Sequence, residues 1–413
     1  VVTNQYDVTN GRSGGGTVSA VTKSGTNTFT GSVFGFGRAD WLSSSYDIRG
    51  NKSTSDFSTY QYGFSLGGPI VKDRAHFYVV WDHQQDSRPI YIADIKTAAD
   101  ESRYNVTQST LDRYLDIART KYGVSNEPQF GEFGKKKQTN AVFARIDWQL
   151  NATNLLTIRN NFINEDNKQS ESDNSSINLY EVWIDRKSHN NSLLATLRSV
   201  LSPKLTNELK LQHFLVYEAT TPNKQLPSSN IPRAIVENVE SISGDKSMYT
   251  SIQLGGQRYA PEHFKDNVLQ LVDNNTDRIN YTFGADFMYT NMKSLYGSEM
   301  NGRFYFTGLD NFEHMTPYRY AREIALVDDP TVKMNTLNSA IYGQLQTKLF
   351  TGFEVMAGIR ADYTRYFNHA NFNQTVYDEL GLRTDNVIST FQLQPRVQFT
   401  WDVNDKHQDI IRL

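Results

Sequence analysis

The 413-residue sequence has no cysteine, which excludes disulfide frameworks, thiolate metal sites and cysteine nucleophiles together. It also has no run of eighteen or more apolar residues, so no transmembrane helix is encoded. Hydrophobic residues are 38% and mean hydropathy is −0.56, the averages of a water-soluble chain. Those averages do not exclude a membrane, because a barrel strand shows lipid only every second residue. Basic excess is missing too. A net charge of −3 and a pI near 6.3 leave no basic face for nucleic acid, and the one lysine run, Lys135 to Lys137, reads as part of a polar connector. Residue 1 is Val, without a charged n-region, an apolar h-region or a cleavage site, so any export signal is expected upstream.

What is present is an aromatic content of 12% and a recurring period-2 alternation. Tyr60, Tyr62, Phe64 and Leu66 alternate with small or polar residues, as do Val142, Ala144, Ile146, Trp148 and Leu150. The same split runs through Ile279 to Tyr289, Phe353 to Tyr363 and Leu393 to Trp401. None of these apolar stripes contains a charge, where the chain average of 21% would place about five. A Lys or Arg facing mid-bilayer costs about 2–4 kcal/mol, a force that keeps such a face clean. The opposite face mixes Arg, Asp, Gln and Thr, as a wet interior permits. Further strands are predicted near 28–37, 74–85, 154–164, 190–201, 207–218, 264–273 and 337–349, about a dozen in all. Short turns (68–73, 151–153, 202–206, 274–278, 350–352) alternate with long polar segments (39–56, 87–137, 165–189, 219–263, 291–336, 368–389). An up-and-down barrel spanning a bilayer sorts its connections by end in this way. Inside one long segment, Leu111, Tyr114, Leu115 and Ala118 recur at helical spacing and stop at Gly123, predicting a short helix over 109–123. Pro395 weakens its strand, since it cannot donate to a ladder.

The stretch GRSGGGTVSAVTKSGTNTFTGSVFGFGR (11–38) resembles the junction between plug and barrel of TonB-dependent outer-membrane receptors. The likeness is to the Oar-like branch and, more distantly, the SusC-like branch of Bacteroidota. FSLGGPIVKDRAHFYVVWD (64–82), SPKLTNELKLQ (202–212), FTGFEVMAGIRADY (350–363), QPRVQFTWDV (394–403) and GRFYFTGLDNF (302–312) are similar to successive pieces of that family. One departure is Tyr342-Gly343-Gln344-Leu345, where the family often carries Tyr-x-Gln-Asp. The resemblance implies a fold class: all-β, a transmembrane antiparallel up-and-down β-barrel with about the first twelve strands of a family-typical 22. Residues 1–25 would be the C-terminal end of the plug domain and its hinge, and 26–413 a partial barrel with long extracellular loops. A last plug strand is expected at Thr17 to Lys23 and the first barrel strand at Phe29 to Gly37. Strand edges cannot face lipid unpaired, so the rest of the wall is expected in the intact protein.

No catalytic constellation is found. The eight histidines are scattered, GRSGGG (11–16) lacks the Lys-Ser/Thr ending of a phosphate loop, and Asp328 and Asp329 sit in no EF-hand pattern. Cofactors and metals are therefore not expected, nor is an enzyme. The glycines instead suit a tightly packed turn, making Gly14, Gly15, Gly16, Ser24 and Gly25 a candidate plug–barrel hinge. Nine lumen-facing charges are candidates for function: Arg145, Asp147, Arg159, Glu208, Lys210, Asp286, Arg360, Asp362 and Arg396. They either pair across strands and hold the plug, or contact solute and guide plug movement. Loop aromatics Tyr46, Trp183, Tyr249, Tyr259, Phe304, Tyr305 and Phe306 either form an external binding surface or pack the loops together. The implied function is active uptake, or export, of a large solute such as peptide, protein or glycan. Implied partners are a periplasmic TonB-type energy-coupling protein, outer-membrane lipid and lipopolysaccharide, and a surface lipoprotein or other envelope protein; no nucleic acid is implied. The alternative is a non-transporting scaffold, adhesin or subunit of a larger envelope or secretion complex.

Overall fold

Alternating side chains force a strand to present two unlike faces, and a row of such strands makes a wall. In the computed structural model, which describes residues 7–11, 20–46, 52, 56–172, 176–240, 249–277, 281–403 and 410–412, that wall is the dominant feature. The strands in chain order are β1 Thr30–Ala39, β2 Ser58–Val71, β3 Ala75–Ile92, β4 Gly131–Asn151, β5 Asn154–Glu171, β6 Ile177–Asn178, β7 Ile184–Val200, β8 Leu205–Thr221 and β9 Arg233–Val239. They continue with β10 Thr250–Gly255, β11 Glu262–Asp277, β12 Tyr281–Tyr296, β13 Arg303–Thr307, β14 Arg319–Ala321, β15 Val332–Phe350, β16 Phe353–Tyr366, β17 Ser389–Asp402 and β18 Ile410–Arg412. The helices are α1 Ala98–Tyr104, α2 Gln108–Tyr122, α3 Gly308–Glu313 and α4 Gln374–Leu380.

Thirteen strands form one sheet in the order β1-β2-β3-β4-β5-β7-β8-β11-β12-β15-β16-β17-β18, each pair antiparallel. Among the described residues β1 and β18 do not pair, so the sheet does not close on itself. The apolar stripes lie on one exposed face: Tyr62 is 46% exposed, Phe283 49% and Ile359 48%. They do not meet in a dry core. Exposed Trp148, Tyr281, Phe350 and Trp401 sit toward the short-turn ends of their strands, where amphipathic rings suit a lipid–water boundary. Tight turns at Lys72–Arg74, Ala152–Thr153 and Thr351–Gly352 join strands at that end, with Gly352 supplying the φ of 78° that the last one needs. The ladder to β16 runs straight past Pro395, opposite Ile359.

Several expectations need correction. The strands reach far into segments read as loops: β3 has 18 residues, β4 21 and β15 19, where about 9–11 cross a bilayer. Lys135 to Lys137 therefore lie on β4 rather than in a connector, Lys135 donating to the Ser170 carbonyl at 3.1 Å and Lys137 pairing with Glu165 at 2.8 Å. These stretches carry polar residues on both faces, which erases the alternation that marks the lower wall. The strand expected at Thr17–Lys23 is not seen in its described part, residues 20–23, while 17–19 lie outside the described residues.

The long connections are also more than loops. Four of them, between β3 and β4, β5 and β7, β8 and β11, and β12 and β15, supply α1, α2, α3 and a second sheet ordered β14-β13-β9-β10-β6. Its parallel pairs, β13 with β9 and β10 with β6, join different connections. Helix α2 starts at Thr107, whose side chain accepts from Thr110 N–H, and ends at Gly123 with φ 72°. Its face of Leu111, Tyr114, Ile117 and Ala118 is buried against Leu179, Val182, Val236, Ile252, Phe306 and Phe312. Tyr122 stacks on Phe312 at 4.4 Å, and Arg113 pairs with Asp310 and Glu313 of α3 at 2.7 and 2.8 Å. Phe304 and Phe306 pack this core, whereas Tyr46 is exposed.

Candidate functional site

The face opposite the apolar stripes carries three arginines that grip the N-terminal segment. On β16, Arg360 is 0% exposed. Alternation puts it, with Asp362, on the polar face of that strand, and antiparallel pairing lays Tyr342 of β15 beside it, its ring 5.1 Å from the guanidinium carbon. Arg360 Nε donates to both Asp362 oxygens at 3.1 and 3.0 Å, and Nη2 donates to Asp286 of β12 at 3.2 Å. Nη1 then donates to the carbonyl of Val8 at 3.0 Å. Gln270 holds the second Asp286 oxygen at 2.9 Å, and Val8 N–H donates to Gln344 at 3.0 Å. A Cβ on Gly11 would meet the Arg360 guanidinium at 2.6 Å, and one on Gly358 would meet Val8 at 2.5 Å. The segment therefore lies tight against the wall.

The other two clamps repeat this chemistry. Arg396 of β17 donates from Nη1 to the Asp7 and Asn10 carbonyls at 2.8 and 2.7 Å while Gln394 accepts from Nη2 at 2.9 Å. Arg145 of β4 forks onto Asp147 at 2.8 and 2.9 Å and reaches the Thr22 carbonyl at 3.0 Å and its hydroxyl at 2.9 Å. Thr157 donates to Asp147 at 2.7 Å, fixing that carboxylate. Of the hinge candidates, Gly14, Gly15 and Gly16 lie outside the described residues. Ser24 is exposed, and Gly25 passes so close to β3 that a Cβ would stand 2.2 Å from the Phe77 carbonyl oxygen.

With this geometry in place, the comparison with known proteins is decisive at family level. The profile of the family described as "Outer membrane beta barrel domain" matches residues 21–121 and 96–412. The chain belongs to that family. It is thus an outer-membrane protein, and none of its described helices is long and apolar enough to cross a membrane. It is 34% identical over 90 residues to the TonB-dependent transporter Oar of Myxococcus xanthus, an overlap of 19% of this chain and 8% of Oar. Its fold resembles the outer membrane transporter YddB of Escherichia coli, with a TM-score of 0.56 and 11% identity, over 94% of this chain and 43% of YddB. It also resembles the ferripyoverdine receptor of Pseudomonas aeruginosa, solved bound to ferripyoverdine, with a TM-score of 0.50 and 11% identity over 95% of this chain and 43% of that receptor. The chain therefore spans less than half the length of these relatives.

In this outer-membrane β-barrel-domain protein the remaining candidates make no contact with the N-terminal segment among the described residues but lie beside the Arg145 clamp. Glu208 bridges Arg198 at 2.7 Å and Lys210 at 2.5 Å across β7 and β8. Arg159 pairs in register with Arg145, so two like charges stand side by side. These residues border a cavity of about 220 Å³ with Thr157 and Thr196. Sequence reasoning missed Gln270, Tyr342 and Gln344. The last two are the positions at 342–345 that keep the family's Tyr-x-Gln pattern, the departure being Leu345, and both touch the site: Tyr342 donates to Asn274, and Gln344 holds Val8.

Proposed function

We propose that this chain is part of a plugged TonB-dependent outer-membrane transporter, nearer the Oar-like than the SusC-like branch, that moves a large solute such as a peptide, protein or glycan. Residues 1–25 are then the plug's end with its hinge, the clamping face is the lumen wall, and the long-loop end is extracellular. The observation that carries this reading is that Arg145, Arg360 and Arg396 hold the N-terminal segment through its backbone carbonyls. A charge-assisted hydrogen bond contributes about 1.5–3 kcal/mol, so each grip is firm yet breakable in turn by a periplasmic energy-coupling protein. When the segment leaves, Arg145 and Arg360 keep their aspartates and Arg396 keeps Gln394, so only the Nη1 donors are released, to lumen water. Outer-membrane lipid and lipopolysaccharide surround the apolar face, and a surface lipoprotein is a candidate partner for the loop end. The folded loop domain also favours a second reading, a scaffold, adhesin or subunit of a larger envelope or secretion complex, because the connections are built into a core of their own.

The test exploits the absence of cysteine from these 413 residues, any cysteine elsewhere in the intact protein being replaced by Ser. Thr22→Cys and Thr157→Cys are joined by a short reducible cross-linker in the intact protein, and energy-dependent uptake is followed across a panel of peptides, proteins and glycans. Uptake of at least one class should stop when the tether is closed and return on reduction. Uptake indifferent to the tether, or absent throughout with an envelope partner copurifying, would replace transport by the scaffold reading.

A further inference from the structure

Within the loop domain, α2, β9, β10 and β13 enclose a bowl of about 360 Å³, within the range of small-ligand pockets. Its wall is apolar: Tyr122, Ile231, Leu254, Phe304, Phe306 and Met315. Into this wall projects one carboxylate, that of Glu181, which is 3% exposed. The turn at Tyr180–Val182 is pinned by Gln129, which accepts from Glu181 N–H at 3.1 Å and so aims the side chain. One carboxylate oxygen, Oε1, accepts from Gly255 N–H at 2.8 Å. The other has no hydrogen-bond partner, and Glu181 has no ion pair, among the described residues. An ionised carboxylate so placed is costly unless a cation meets it.

No cation among the described residues is paired with Glu181. Tyr114 and Tyr122 of α2 are phenols, and Tyr122 already donates to the Phe312 carbonyl at 2.6 Å. Arg233 of β9 is engaged by Glu299 and Gln253, and Arg303 of β13 by Glu299 at 3.0 Å. We propose that the bowl binds a hydrophobic amine: an apolar or aromatic group seats among the rings and its ammonium pairs with the free oxygen of Glu181. A free amine and the amino terminus of a peptide beginning with an apolar residue share this chemistry.

Burial raises the Glu181 carboxyl to about 7. A raised value means that stability is complete at acid pH and is lost as pH climbs through 7, when the buried charge forms. Glu181→Gln removes that loss, so the variant folds at least as well as wild type above neutrality. Binding of a cation has the opposite sense and strengthens as Glu181 ionises.

The experiment is calorimetric titration of the intact detergent-solubilised protein with phenethylamine, with a peptide bearing a free amino-terminal Phe, and with its N-acetylated form. The expected result is saturable binding of the first two: phenethylamine, charged throughout, about tenfold tighter at pH 8 than at pH 6 as a carboxyl titrating near 7 dictates, and the peptide, whose own amino group loses its proton near pH 8, about three- to fivefold tighter. Preference between phenethylamine and the free peptide then assigns the source. Glu181→Gln should lose tenfold or more together with the pH dependence, and Leu226→Trp, which fills the bowl from its rim, should abolish binding. Unchanged affinity in Glu181→Gln, equal binding of the acetylated peptide, or no saturable binding of any probe overturns the proposal. The readout is equilibrium binding, so its failure leaves the transport reading standing, and the tethering result leaves this one standing.

Discussion

At the scale of single residues, Arg360 concentrates more of the molecule than any other side chain. It is the largest fully buried one, and it joins β12, β16 and a backbone carbonyl 352 residues away in sequence. Arginine is suited to this because its planar fork serves several acceptors at fixed angles, which a lysine ammonium does not. Removing it leaves buried Asp286 and half-buried Asp362 without their counter-charge. Arg360→Ala is therefore expected to cost about 3–5 kcal/mol in urea unfolding from lipid vesicles. Arg360→Lys should recover part of that stability while still freeing the Val8 segment to proteolysis. Equal protection of the N-terminal segment in wild type and Arg360→Lys would argue that Gln344 and the close contact at Gly358 hold it unaided.

At the scale of elements, the wall strands and the loop elements obey different rules. Along β12, Phe283 and Phe287 point to the exposed face, while Asp286 lies buried on the other. If lipid covers the first face, Phe287→Lys should destabilise insertion by about 2–4 kcal/mol, whereas Met288→Lys, next to it on the polar face, should cost far less. Comparable penalties at the two positions in vesicle-folding titrations would contradict the assignment of faces. Helix α2 was legible in advance because a buried helical stripe ending in glycine is a local signal; its buried positions are Leu111, Tyr114, Ile117 and Ala118, with Leu115 packed at the edge. The short strands β9, β10 and β13 carried no such signal. Five to seven residues, most of them buried or half-buried, do not alternate cleanly, and each strand takes one of its partners from another connection.

At the scale of the whole molecule, strand length decides the layout. Strands of 18 to 21 residues extend well beyond a hydrocarbon layer that 9–11 residues cross, so on the proposed reading their upper halves stand in water and carry the loop domain clear of the membrane. The absence of cysteine makes this directly measurable. Lys136→Cys, on the upper part of β4, should react with a membrane-impermeant maleimide on whole cells, and Thr153→Cys, in a short turn, only after permeabilisation. The reverse pattern would invert the molecule in its membrane.

The amino-acid sequence by itself determined which residues face outward, the tight turns at 151–153 and 350–352 and where α2 begins and ends, because each depends on neighbours two to four positions apart, whereas β2 and β11 run on through most of the turns read at 68–73 and 274–278. Only the tertiary structure decided that four separate connections build one core, that Arg360 finds Val8, and that Glu181 is left with an unmet oxygen in an apolar bowl. Those outcomes depend on which distant segments meet. Period-2 patterning constrains such meetings only where one whole face of a strand is dry, and on the upper strands only scattered positions such as Ile92 and Ile184 are buried.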